Sequence, residues 1–178
     1  MDTMKRTRIL LFTGNGKGKS TAAFGMLARA LGHGMRARVI QFVKSDSSVG
    51  EQKFFSRFQE VEWEQFGLGF LPRDRESAEM ESHRRAAREG LDAALAALAS
   101  PDYDLVLLDE VCYALGEQLF DIEPLLEALR SVREGKIVVL TGRNAPASLV
   151  AAADTVTEMT LLKHAFQQGI AASAGVEN

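Results

Sequence analysis

Apolar residues along the chain fall into short runs separated by stretches with helical spacing. Ile9-Leu10-Leu11-Phe12 is a continuous apolar run ended by Thr13-Gly14-Asn15-Gly16, which predicts a buried strand running into a turn. A helix is expected from Ser20, with Phe24, Leu27, Ala28 and Leu31 as its apolar stripe and Gly32 and Gly34 as its stop. Arg38 to Phe42 predicts a second strand, and Val61 to Phe66 alternates apolar with polar positions as a half-buried strand does. A long helix from Glu76 to Ala99 would carry Ala87, Leu91, Ala94, Leu95 and Leu98 on one face.

Leu105 to Leu108 and Ile137 to Leu140 read as fully buried strands. Between them Asp121 is expected to cap a helix with Pro124 in its first turn and Leu125, Leu126 and Leu129 facing inward. A short helix over Ala147 to Ala153 leads to an edge strand near Thr155 to Leu161. Strands apolar on both faces, alternating with helices, predict one α/β domain over residues 1–178 with a mostly parallel sheet flanked by helices on both faces. Residues 1–7 are expected to be disordered. Ligands in such folds sit at the carboxyl ends of the strands.

Composition adds exclusions. The chain has 178 residues, 46% hydrophobic and 25% charged, with a formal net charge of -3. No basic excess supports nucleic-acid binding through phosphate neutralisation. Cys112, the only cysteine, rules out an intrachain disulfide and reads as a small buried hydrophobe. The charged segment Met1 to Arg8 lacks the apolar core of a secretory signal, and no run approaches the roughly 20 apolar residues of a membrane span. The expectation is a cytoplasmic protein without a membrane partner.

The chemistry concentrates after the first strand, in Thr13-Gly14-Asn15-Gly16-Lys17-Gly18-Lys19-Ser20-Thr21. Glycines let successive backbone N–H groups turn inward around an anion, and the following helix adds its unpaired N–H groups and positive dipole end. Gly14, Asn15, Gly16, Lys17, Gly18, Lys19, Ser20 and Thr21 are therefore candidate contacts to the phosphates of ATP. Lys19 would reach along the phosphate chain and Ser20 would ligate Mg²⁺. The usual pattern wants its first glycine five positions before Gly18; Thr13 stands there and Gly14 comes one residue late.

Asp104 to Glu110 is an apolar strand ending in two acids, so Asp109 and Glu110 are candidate Mg²⁺ contacts, direct or through water, with their roles undivided. Arg143 follows a third strand and can reach phosphate or substrate, since guanidinium suits phosphate oxygens; it is placed with the phosphate set. His33, His83 and His164 show no metal-ligand spacing. Arg73 to Arg88, dense in both signs, reads as a solvated helix laced with ion pairs, with a mobile lid closing over phosphates as the runner-up.

Gly14 through Gly25 resembles the ATP:corrinoid adenosyltransferases of the cobalamin pathway. The likeness continues through Ala30 to Gly34, Val39 to Lys44, Gly69-Phe70, Val106 to Glu110, Leu140 to Arg143, Ala153 to Glu158, Lys163 to Phe166 and Gly169-Ile170. The family carries the same shortened glycine pattern. The resemblance implies a P-loop NTPase-like (RecA-like) fold and transfer of the 5′-deoxyadenosyl group of ATP to Co(I) of a reduced corrinoid, cobalamin or a precursor. It implies ATP bound in the reverse sense along the loop, inorganic triphosphate as leaving group, and no protein base to activate Co(I). Lys19 and Glu110 are then the catalytic residues, with Glu110 a metal or ribose contact.

It further implies a corrinoid contact at Phe70, although Pro72 stands where a tryptophan is often found. A homodimer and a flavin-type reductant also come with the resemblance. With only a few residues before Ile9, the amino-terminal lid of some members is expected to be absent or reduced. An ordinary P-loop ATPase or small-molecule kinase is the alternative, and a non-catalytic nucleotide-sensing or chaperone module is a third.

Overall fold

A computed structural model describes residues 6–43 and 49–176. Lys44, at the end of one resembling segment, lies outside them, as do residues 1–5 of the amino-terminal segment. Six strands form one sheet: β1 (Arg8–Thr13), β2 (Ala37–Gln41), β3 (Val61–Gln65), β4 (Leu105–Asp109), β5 (Ile137–Thr141) and β6 (Thr155–Glu158). Their order is β3-β2-β4-β5-β1-β6, and every pairing is parallel. The helices are α1 (Lys19–Leu31), α2 (Gly50–Phe55), α3 (Ala78–Ala99), α4 (Val111–Gly116), α5 (Glu123–Ser131) and α6 (Ala147–Ala152).

The period-two rule divides the strands between two cores. Ile9, Leu11, Ile40, Phe42, Val106, Leu108, Val138 and Leu140 pack on one face against α3, α4, α5 and α6. Ala37, Val39, Leu105, Leu107 and Val139 pack on the other against Ala23, Phe24, Leu27 and Ala30 of α1 and Phe55 of α2. Continuous apolar runs follow from burial on both faces. The edge strand β6 is exposed at all four positions.

One helical face and several element boundaries depart from the sequence reading. On α1 the buried ridge is Ala23, Phe24, Leu27 and Ala30, whereas Ala28 faces solvent. The long helix begins at Ala78 because Ser77 caps it, its hydroxyl accepting the Met80 N–H at 3.2 Å. Ile122, not Asp121, stands at the cap of α5, where Pro124 supplies the preset φ of a first turn instead. β6 ends at Glu158, before Leu161, because the chain there leaves the ladder to pack on the loop after β1.

The end of α3 is held by a buried cation. Lys136, fully buried ahead of β5, donates to the carbonyls of Ala97, Leu98 and Ser100 at 2.8, 2.9 and 2.6 Å. Helix carboxyl ends leave such carbonyls unpaired and carry the negative dipole end, so an ammonium fits there. Burial, with a smaller contribution from Arg133, pushes its pKa down to about 8. Among the described residues no helix is long and apolar enough to cross a membrane.

Candidate functional site

The sheet order sets the carboxyl ends of β4, β5 and β1 side by side, and the candidate residues gather there. From Thr13 the chain turns through Gly14 at φ 95° and Gly18 at φ 117°, backbone that side chains disfavour. Between them the loop leans on the segment leaving β6. Gly16 N–H donates to the Met159 carbonyl at 2.6 Å, and Met159 N–H to that of Thr13 at 2.8 Å. A Cβ on Gly14 would lie 2.5 Å from the Met159 oxygen, and one on Gly16 2.7 Å from it. Close backbone approach therefore requires glycine at both.

Helix α1 starts at Lys19 with no side-chain cap and no acid in its first turn. Its amino-terminal N–H groups and positive dipole end thus present an anion site. Lys19 is buried, and its ammonium curls back to donate to the carbonyls of Gly14 and Gly16, both at 2.8 Å. Burial lowers its pKa; Glu110 opposes this, Arg143 reinforces it, and Asp109 again opposes it. Residues from three strand ends therefore act on one ammonium.

Asp109, at the end of β4, is fully buried. Its Oδ1 accepts from Ser20 Oγ at 2.8 Å and Thr141 Oγ1 at 2.7 Å, and its Oδ2 from Gln41 Nε2 at 2.9 Å. Glu110 follows with φ 62° and ψ 20°, a left-handed conformation that costs a non-glycine residue ~1–2 kcal/mol. Thr141 Oγ1 accepts the Glu110 N–H at 2.8 Å and helps to hold that turn. Asp109 is thereby locked behind the loop, and Glu110 faces the open site.

Two cavities meet at Glu110. One of about 430 Å³ is walled by Lys17 to Thr21, Phe24, Gly50, Glu51, Glu110 and, from the carboxyl-terminal segment, Gly175 and Val176. Lys17 Nζ donates to the Val176 carbonyl. The other, of about 310 Å³, is mainly apolar and walled by Val43, Phe70, Leu71, Tyr113, Arg143 and Glu110. Phe70 is 100% exposed at the wall of this second cavity.

Of the residues singled out from the sequence, Lys17, Gly18, Lys19, Ser20, Thr21 and Glu110 line the first cavity. Gly14 and Gly16 instead pack on Met159 and Thr160, and Asn15 is exposed at the loop tip. Arg143, placed with the phosphates by its sequence position, lines the second cavity together with Phe70. Cys112 is fully buried, and burial raises its thiol to about 12. His164 caps a short turn, its Nδ1 accepting the Phe166 N–H at 3.2 Å. The hydrogen bonds of Gln41, Thr141 and Gln65 around Asp109 are not foreseen from the sequence; for two of them the signal is a polar residue closing a buried strand, as Gln41 and Thr141 do.

A family model described as "ATP:corrinoid adenosyltransferase BtuR/CobO/CobP" matches residues 5–178. A corrinoid adenosyltransferase of Pseudomonas aeruginosa is 44% identical over 97% of this chain and 84% of its own length. One from Escherichia coli strain K12 is 37% identical over 97% of this chain and 86% of its own. The corrinoid adenosyltransferase CobA of Salmonella typhimurium is 36% identical over the same shares, 97% and 86%.

Proposed function

The chain belongs to the ATP:corrinoid adenosyltransferase family, and from that premise we propose that it moves the 5′-deoxyadenosyl group of ATP onto Co(I) of a reduced corrinoid. Co(I) attacks the ribose 5′ carbon, the C5′–O bond breaks, and its electron pair leaves with triphosphate. One observation carries the reading: a cavity walled by the loop from Lys17 to Thr21 and an apolar cavity beside Phe70 share a wall at Glu110. Phosphate chain and corrinoid can then be held on either side of the bond that forms.

The residues around the first cavity suit a leaving group. Triphosphate gains negative charge as the C5′–O bond breaks, and preset N–H dipoles with Lys17 and Lys19 offset it without reorganising. Ser20 and Asp109, hard oxygen donors already hydrogen-bonded at 2.8 Å, with Glu110 adjacent in sequence, fit a magnesium ion accompanying ATP. Bound there, the ion would supply further positive charge against the departing phosphates. Co(I) is itself a strong nucleophile, so Glu110 serves as a metal or ribose contact. Phe70, Val43 and Leu71 offer apolar surface to the corrinoid ring, and catalysis rests on positioning and electrostatics.

Incubation with ATP and chemically reduced cobalamin should yield triphosphate and adenosylcobalamin. ADP released in the absence of corrinoid would instead mean cleavage at the γ-phosphate and defeat the proposal. Lys19→Ala should slow adenosyl transfer at least ~100-fold, as loss of a principal transition-state contact does. Near-normal turnover in that variant would remove Lys19 from the mechanism.

A further inference from the structure

A line of hydrogen bonds runs behind the first cavity, through Gln41, Trp63 and Gln65, which line neither that cavity nor the second. Gln41 closes β2, is fully buried, and stands in register with Asp109 of β4 on one side and Gln65 of β3 on the other. Its Oε1 accepts from Trp63 Nε1 at 3.1 Å and Gln65 Nε2 at 2.9 Å. Two donors on that oxygen fix the orientation of the amide, so the end facing Asp109 is Nε2, which can only donate. Asp109 Oδ2 takes that bond at 2.9 Å, and Oδ1 accepts from Ser20.

A second arm closes the circuit. The Trp63 ring stacks on Phe24 at 5.2 Å between centroids and 23° between planes. Phe24 walls the phosphate cavity and lies four residues after Ser20, on the same face of α1. Connections thus leave α1 at Ser20, pass through Asp109, Gln41 and Trp63, and return to α1 at Phe24. A shift of Ser20 relative to Asp109 must disturb either the amide or the stack.

We propose that Gln41 is a positioning residue of this site: it fixes the Asp109 carboxylate toward Ser20 for the magnesium complex of ATP and ties that geometry to Trp63. The inference rests on the magnesium reading above. A residue that merely filled a buried gap would alter stability. One that orients Asp109 must alter the magnesium dependence of nucleotide binding, and only through Asp109.

Trp63 is the chain's single tryptophan, so its emission reports the circuit directly. The wild-type protein, Gln41→Leu, Asp109→Asn and the double variant are titrated with ATP in Mg²⁺ and in EDTA. Trp63 emission is followed, affinity is confirmed by calorimetry, and folding by circular dichroism. Magnesium should tighten ATP binding and shift the emission of the wild type. Gln41→Leu should keep its EDTA affinity within about twofold and lose ~10-fold of the magnesium gain, as loss of a residue that orients a metal ligand does. Its Trp63 response to magnesium should fade with it.

Asp109→Asn should remove the gain, and the double variant should be no worse than Asp109→Asn alone. An unchanged gain in Gln41→Leu, or an additive loss in the double variant, overturns the inference and leaves the magnesium reading standing. An unchanged gain in Asp109→Asn overturns that reading and the inference with it. Should Gln41→Leu not fold, Gln41→Met is measured in its place. It keeps the length of the side chain but has no donor for Asp109, and it must show the same loss.

Discussion

Replacing Gly14 or Gly25 with alanine adds the same methyl group at the start or in the middle of one loop–helix unit, and the two changes should have opposite signs. At Gly14 the new Cβ would stand 2.5 Å from the Met159 oxygen and 2.8 Å from its nitrogen, where ordinary contact begins at 3.4 Å. Both neighbours are backbone atoms paired to Thr13 and Gly16, so no side chain can swing aside. Overpacking of this kind costs ~1–3 kcal/mol, and φ 95° adds ~1–2 kcal/mol for an L-residue. Together these predict a loss of ~2–5 kcal/mol. Gly25 sits within α1, exposed, with nothing within 4 Å of its added Cβ. There alanine relieves the helix of glycine's excess chain entropy and should add ~0.5–1 kcal/mol. Urea unfolding with matched m-values measures both changes, and ATP titration follows the loop. Gly25→Ala should raise the midpoint and leave ATP affinity unchanged; Gly14→Ala should lower both. A Gly14→Ala midpoint within ~0.5 kcal/mol of wild type would refute the view that Met159 shapes the loop, since that is the range of an indifferent surface change.

Two further outcomes follow from other parts of the molecule. Lys136 holds the end of α3 with a pKa lowered to about 8, whereas the unfolded side chain keeps its proton to near 10.5. Between those values the unfolded chain binds more protons, so stability should rise with pH; melting temperatures from pH 8 to 10 should show a rise that shrinks in Lys136→Met, and equal slopes would refute it. Phe70→Ala should raise the corrinoid KM by ~10-fold, as loss of a buried aromatic contact of ~1.5 kcal/mol or more implies, with ATP affinity unchanged. A corrinoid KM within twofold of wild type would take Phe70 out of the site.

How much was legible from sequence depended on whether the signal was local. Ile9 to Phe12, Leu105 to Leu108 and Ile137 to Leu140 could be read as central strands because burial on both faces leaves no polar alternation. The turn from Gly14 into a helix could be read because its glycines lie within a few consecutive residues. Ala28 is exposed where Ala23 and Ala30 are buried, because alanine marks a helical face weakly and the packing of α1 on the sheet decides it. Helices α2 and α4, six residues each, are too short to show a period. Arg143 and Phe70 are 73 positions apart, and only the fold puts them around one cavity. Trp63 lies at an apolar position of the alternating run Val61 to Phe66 and stacks on Phe24; its hydrogen bond to Gln41 depends on β3 lying beside β2.

The late glycine has a physical cause in the same topology. Thr13 is still part of the ladder, in register with Glu158 of β6, and its carbonyl accepts the Met159 N–H. Its hydroxyl accepts the Ala145 N–H at 3.3 Å in the turn after β5. A glycine at position 13 would lose that acceptor and gain nothing, because the close backbone approach begins one residue later. At Gly14 and Gly16 the chain passes the carbonyl oxygens of Met159 and Thr160 with no room for a side chain. Their own carbonyls are thereby turned to Lys19, which bridges them at 2.8 Å. The segment leaving the edge strand β6 thus sets where the loop needs its glycines and where the lysine is held. A substitution at Met159 that moves this backbone should therefore reach the proposed phosphate site through Gly14 and Lys19, as surely as a change in the loop itself.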